Sequence, residues 1–256
     1  MSARIPAIFV AHGAPTLALQ PDRAAPLVRW ARTLTTPKAI LVISAHWLTR
    51  GIQLGRTATH DALIYDFSGF PKALYEMQYA APGAPALAAR ITQLLGDEHT
   101  VKTVDRGIDH GVWIPLKVMY PEAKIPVLQM SIPREMDPRA LMELGLRLRT
   151  LSEEGVLIMG SGNITHNLRA LDFREGAPPT WATQFDAWVK TQLEASALDT
   201  LAQWKTLAPS PKMAHPTDEH LRPLFVIAGA GVGDRLSWGL EGFEYGSISR
   251  RSVQYG

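Results

Sequence analysis

Residues 40–47 read ILVISAHW, and how that stretch is understood decides the fold. Four β-favouring apolar residues run into a small pair and then into an imidazole. A buried strand ordinarily ends in turn residues, so a strand that delivers a histidine asks for another explanation. A counterpart stands near the start, AIFVAH over residues 7–12, again an apolar run, a small residue and a histidine. In open α/β sheets ligands bind beyond the carboxyl ends of the strands, so His12 and His46 can meet at one point. Gly13 then permits close backbone approach and Pro15 stiffens the exit.

Working outward, short apolar runs at residues 5–10, 39–44, 125–130 and 156–159 read as buried strands, too short for helices and rich in Ile, Val and Leu. Between and after them lie helical patterns at residues 22–34, 84–95, 137–151, 180–193 and 197–207. The third opens with Asp137 and Pro138, a sound cap and first helical position. Strands alternating with helices predict an α/β fold. The expectation is a single domain over residues 1–256, with a mostly parallel or mixed central sheet flanked by helices on both faces. Residues 242–256 alternate weakly and read as closing C-terminal strands at a sheet edge. The Pro-rich residues 208–216 read as a site loop and not as a domain boundary.

The chain has 256 residues, 46% hydrophobic and 20% charged, ample for a substantial core. Its 26 Lys and Arg against 24 Asp and Glu give +2, too weak a field to point to nucleic acid or an acidic partner. There is no cysteine, which excludes disulfides, thiolate ligands and a cysteine nucleophile. A metal here would need His, Asp, Glu or water. No segment approaches the ~20 apolar residues of a membrane-spanning helix, and His12 interrupts the N-terminal apolar run before it reaches signal-peptide length. A cytoplasmic protein without membrane partners is expected, with no feature that sets an oligomeric state.

Eight histidines are present. His60 and His99 sit among charged and turn residues and read as ordinary surface or core positions. His166 follows the run at 156–159 through Gly160-Ser161-Gly162, read as a small-residue loop. That suggests a third imidazole in the same crevice, against the plainer reading of a glycine turn before a helix near Thr165. In MAHPTDEHLRPL, residues 213–224, Thr217 suits an N-cap, placing Asp218, Glu219 and His220 in the first turn of an apolar helix. The acids there either complement the helix dipole or join His220 as ligands, and His215 is a further candidate. In Asp109-His110-Gly111 the neighbouring carboxylate either orients the ring or caps a helix beside a bystander histidine.

Other motifs carry less. No HExxH or GxSxG occurs, and Gly229-Ala-Gly231-Val-Gly233 lacks the spacing of a dinucleotide turn. Ser161 as a hydrolytic nucleophile would leave the strand-end histidines unexplained. Several imidazoles without thiols point to metal more readily than to a triad.

Eight stretches together resemble the DOPA 4,5-dioxygenase family of class III extradiol ring-cleaving dioxygenases. They are AHGAPTLAL (11–19), ISAHWLTRG (43–51), IYDFSGFPKALYEMQY (64–79), APGAPALAARI (81–91), DHGVWIPLKVMYP (109–121), SGNITHNLR (161–169), PTDEHLRPLFVIAGA (216–230) and GSISRRSVQYG (246–256). The likeness runs in order over nearly the whole chain. It implies an enzyme that inserts O₂ into a catechol-type, DOPA-like aromatic and yields a ring-opened semialdehyde. It also implies that His12, His46 and His220 bind the metal. By the same resemblance His166 is the catalytic acid/base, itself able to coordinate when zinc fills the site, and His110 is a second active-site histidine. Distant class III relatives use two His and one Glu; the matching third position reads as His220, with Glu219 beside it the other reading. Fe(II) is implied for activity and Zn(II) as the metal found on purification. Trp47 reads as packing under the loop, or else as a wall of an aromatic pocket. Two further readings stand beside the resemblance: a zinc hydrolase on the same scaffold, and a non-catalytic binding protein that keeps the fold.

Overall fold

The four apolar runs become the middle of one sheet. The computed structural model describes residues 4–96, 98–174 and 176–256. In chain order the strands are β1 (Ala7–Ala11), β2 (Ala39–Thr49), β3 (Ile52–Leu54), β4 (Val101–Thr103) and β5 (Val127–Pro133). They continue as β6 (Val156–Gly162), β7 (Leu236–Leu240), β8 (Phe243–Glu244), β9 (Ile248–Ser249) and β10 (Ser252–Tyr255). Eight strands form one sheet in the order β4-β3-β5-β2-β6-β1-β10-β7, and β8 pairs with β9 apart from it. The central strands β5, β2, β6 and β1 are mutually parallel, while β3 against β5, β10 against β1 and β7 against β10 are antiparallel. The sheet is therefore mixed, with the parallel part at its centre.

Strand alternation sorts the core into two halves. Phe9, Leu41, Ile43, Leu128, Met130 and Ile158 point to one face, where they meet the helices Pro85–Leu95, Pro138–Leu148, Thr180–Glu194 and Arg222–Ala230. Ile8, Val10, Ile40, Val42, Leu157 and Met159 point to the other, against Pro21–Ala31 and His110–Met119. Both faces are covered, as parallel strands require. Asp137 does cap its helix, its side chain accepting from the Ala140 N–H at 2.9 Å. Among the described residues no helix is long and apolar enough to cross a membrane.

Several local expectations are corrected. β2 does not stop at Ser44; it runs on to Thr49, and its pairing with β5 is interrupted between Ile43 and Leu48, with His46 inside the interruption. Gly160-Ser161-Gly162 is not a loop but the last part of β6, paired with β1 and β2. The helix after His220 begins at Arg222, so Thr217 caps nothing and His220 lies in the preceding turn. Pro223 explains the late start, since a proline deeper in the helix would break a backbone hydrogen bond. Residues 137–151 divide into Pro138–Leu148 and Thr150–Glu153, and residues 197–207 into Leu198–Ala202 and Trp204–Leu207. At the C-terminus β10 lies inside the sheet beside β1, and the edge is β7, upstream of the residues read as closing strands.

Candidate active site

β6 lies between β1 and β2, and its small residues make the floor of the site. Val10 pairs with Ser161, Ala11 with Gly162, and Ser44 with Ser161, so the three strands reach the same level together. His12 follows directly from β1 and His46 comes from the irregular part of β2. The two rings reach across to each other, their Nε2 atoms 3.4 Å apart. A Cβ at Gly160 would collide with Pro223 and Ile227, so the glycine lets the helix Arg222–Ala230 pack against β6. Gly162 also admits a third segment, because a Cβ there would collide with the His220 carbonyl. That carbonyl instead accepts from the Asn163 N–H at 3.0 Å, seating His220 over the end of β6.

The rings of His12, His46 and His220 form a closed triangle with centroids 5.1, 5.4 and 4.9 Å apart. Each is held by its outer nitrogen. His12 Nδ1 is 2.9 Å from Ser161 Oγ, which itself donates to the Gly111 carbonyl. His220 Nδ1 is 3.1 Å from Glu219 Oε1, and His46 Nδ1 is 3.5 Å from Asp66 Oδ2. Hydrogen bonding at Nδ1 fixes the tautomer and orientation of His12 and His220 and leaves their Nε2 for the centre of the site.

Two more imidazoles flank the triangle. His110 opens its helix with its ring 4.0 Å from that of His46, and its Nδ1 is 2.7 Å from Asp66 Oδ1. The expected partner, Asp109, is turned elsewhere: it accepts from Ser44, Arg106 and Gln129 and is fully buried. His166 lies flat on His220, centroids 3.4 Å apart and planes within 8°. Its loop is pinned on both sides. His166 N–H donates to the Ala214 carbonyl, Asn167 Nδ2 to the Met213 carbonyl, and Thr165 Oγ1 to the Ser247 carbonyl.

The electrostatics follow from packing five imidazoles in a buried site. Burial, then the neighbouring His46, His220, His110 and His166, holds His12 well below the usual imidazole range. Burial and then His166 do the same to His220. Burial lowers His46, and His110 adds to it. Burial brings His166 down to about 4, so the value near 6.5 that an isolated imidazole would have does not apply. For Asp66, burial alone would raise the carboxyl, but the hydrogen bond from His110 and the nearby His46 outweigh it and the net direction is down. His12, His46, His166 and His220 are thus neutral donors at neutral pH.

Such a set fits a metal ion. His220 Nε2 is buried with no hydrogen-bond partner among the described residues. Two compact groups of ligand atoms occur, His12 with His46 and His110, and His166 with Glu219 and His220. Neutral imidazoles with nearby carboxylates suit iron or zinc. A cavity of about 740 Å³ opens onto all five rings, walled on its apolar sides by Phe67, Phe70, Leu171 and Ile248.

The remaining sequence candidates fall outside. His215 is buried against Phe185 and Trp204 and donates through Nε2 to the Ile164 carbonyl; it lines a separate depression with Lys205 and Lys212. Residues 208–216 therefore support the His166 loop from behind and do not line the cavity. His60 is a core residue bonded to the Val127 carbonyl, and His99 is not among the residues that line the cavity. Trp47 is a packing residue, with the Arg106 guanidinium 4.5 Å above its ring. Residue-by-residue reading missed Asp66. Its signal was the aromatic setting of residues 64–70, because Tyr65, Phe67 and Phe70 anchor the loop against Trp113 and one another.

Residues 6–255 match the model of the catalytic LigB subunit of aromatic ring-opening dioxygenase. A Beta vulgaris protein named 4,5-DOPA dioxygenase extradiol is 42% identical over 235 residues, covering 87% of this chain and 85% of that one. An Escherichia coli K12 protein of the same name is 38% identical over 267 residues, covering 100% and 96%. A crystal structure of an uncharacterized Escherichia coli K12 protein superimposes with a TM-score of 0.82 at 34% identity, covering 99% of this chain and 100% of that one.

Proposed function

Since the chain belongs to the LigB family of aromatic ring-opening dioxygenases, we propose that it is a metal-dependent extradiol dioxygenase that cleaves a catechol with O₂. The observation that carries this reading is the triangle of His12, His46 and His220, with His12 and His220 hydrogen-bonded at Nδ1, His46 Nδ1 facing Asp66, and Nε2 left for a metal. The name shared by the Beta vulgaris and Escherichia coli relatives supports a DOPA-like catechol as substrate. The product is then a ring-opened semialdehyde.

Those three histidines would hold the ion. Fe(II) is the metal assigned to turnover, and Zn(II) competes for the same imidazoles because nitrogen-donor sites generally bind zinc more tightly than iron. Held by these imidazoles, iron would supply Lewis acidity toward the catechol hydroxyls and the electron exchange that O₂ needs. Glu219 acts as the orienting carboxylate of His220 in this reading and not as a ligand.

The chain's own residues do the rest. His166 stays neutral at physiological pH because burial brings it to about 4. It accepts the second catechol proton on a ring nitrogen and returns it as the ring opens. His110, fixed at Nδ1 by Asp66, presents Nε2 to a substrate oxygen. Phe67, Phe70 and Leu171 exclude water and hold the aromatic ring against the imidazoles. The reading is tested by turnover of a catechol under isotopically heavy O₂. Both heavy atoms in a ring-opened product support it; unlabelled product overturns it.

A further inference from the structure

The break in β2 that delivers His46 is held by a carboxylate that the proposed chemistry does not use. Pairing with β5 runs in register as far as Ile43 and Met130 and resumes at Leu48 and Ile132, so residues 44–47 stand opposite Ser131 alone. A bulge re-aims side chains, and it takes backbone groups out of the ladder that must then find other partners. The His46 N–H finds one in Ser44 Oγ at 3.2 Å, and that hydroxyl donates to Asp109 Oδ1 at 2.8 Å.

Asp109 is fully buried, and its surroundings hold it in place. Its second oxygen accepts from Arg106 Nη2 at 3.2 Å and from Gln129 Nε2. Gln129 Oε1 accepts in return from the Asp109 N–H at 3.3 Å and from Arg106 Nη1 at 3.1 Å. The Arg106 guanidinium lies 4.5 Å above the ring of Trp47, the residue after His46. Gly111 makes the room, because a Cβ there would collide with Ser44 Oγ and His46 Cδ2. A polar cluster drawn from β5, from residues 106–109 and from the start of the helix His110–Met119 thus closes around residues 44–47.

A buried carboxylate costs free energy that its cation and hydrogen bonds only offset, and apolar side chains would fill the same space without that cost. What the cluster supplies is a fixed shape. We propose that Asp109 is a positioning residue for the metal: through Ser44 it sets the bulge of β2, and so the place of His46 Nε2 beside His12 and His220. Asp66 acts on imidazole rings directly, whereas Asp109 acts on the backbone that carries one of them. This rests on the metal reading above and deepens it.

The test reads metal binding and needs no turnover. Competition against a chromophoric chelator gives the Zn(II) Kd of wild type, Ser44→Ala and Asp109→Asn, and Co(II) absorption reports the ligand set, with His46→Ala as the reference for a site lacking that ring. Ser44→Ala cuts the link and leaves Asp109 with Arg106 and Gln129, and a thermal melt of each metal-free protein checks the fold. Both variants are expected to bind Zn(II) about 10- to 100-fold more weakly. Their Co(II) spectra should move toward that of His46→Ala. An unchanged Kd in Ser44→Ala overturns the proposal, whether or not Asp109→Asn folds. Weaker binding with a wild-type Co(II) spectrum also overturns it, because His46 would then be in place. Unaffected variants sink this inference alone; a wild type that binds neither metal sinks the metal reading with it.

Discussion

Asp66 and His110 are joined twice: one carboxylate oxygen accepts from the His110 backbone N–H at 3.2 Å and from its Nδ1 at 2.7 Å. The other oxygen stands 3.5 Å from His46 Nδ1. One loop carboxylate thereby sets two active-site rings. Asp66→Asn keeps the shape and removes the charge, so the expected result is a folded protein with kcat or metal affinity lowered about 10- to 100-fold. Steady-state kinetics with metal analysis and a thermal melt check it; unchanged values for both would make Asp66 a packing residue.

The proposed function takes His12, His46 and His220 as the three ligands. Replacing any one by alanine leaves two imidazoles, and the purified variant should hold little iron or zinc. Elemental analysis of each variant after metal loading gives the answer. Full occupancy in any of the three would remove that histidine from the set.

His166 stacks on His220 without needing to bind the ion. His166→Ala should therefore keep its metal and its affinity for catechol while kcat drops by about 10²- to 10⁴-fold, the usual contribution of general acid–base catalysis. Rapid-quench measurement of the chemical step, with metal content determined in parallel, separates this from ligand loss. Undiminished turnover would move the proton transfer to His110.

Buried histidines also tie stability to pH. Burial brings both His166 and His215 to about 4, below the ~6.5 of an unfolded chain. Between those values the unfolded state binds more protons, so stability is fully present above about pH 6.5 and is lost as pH falls toward 4. His215 lies away from the cavity, which makes it the cleaner probe. Melting temperatures of wild type should fall through this window, and His215→Gln should flatten the slope by about one proton. An identical slope in the variant would show that His215 titrates normally.

Much of this was legible before any coordinates. The apolar runs with β-branched residues mark the four parallel strands because strands buried on both faces must be continuously apolar; His12 stands where β1 ends, whereas His46 lies within β2, at the break in its pairing with β5. β3 and β4 were not legible, since three residues are too few to display a period. The glycines of 160–162 misled for a physical reason. They look like loop formers, yet here they are strand residues kept small so that Pro223 and Ile227 can pack on Gly160 and the His220 carbonyl on Gly162. His220 was found in type but misplaced on a helix, because an acid-rich turn before Pro223 imitates a capped first turn. Asp66 carried no local pattern of its own; only the fold brings a loop residue to a helix start more than forty positions later.

The most direct measurement strips the protein of metal and reloads it without air with Fe(II) or Zn(II). Each form is then offered a catechol and O₂, with oxygen uptake and visible absorbance recorded together. The account predicts uptake and a new yellow chromophore with Fe(II), and neither with Zn(II). No uptake at full iron occupancy, with an ester or amide substrate hydrolysed by the zinc form in the absence of O₂, would contradict it.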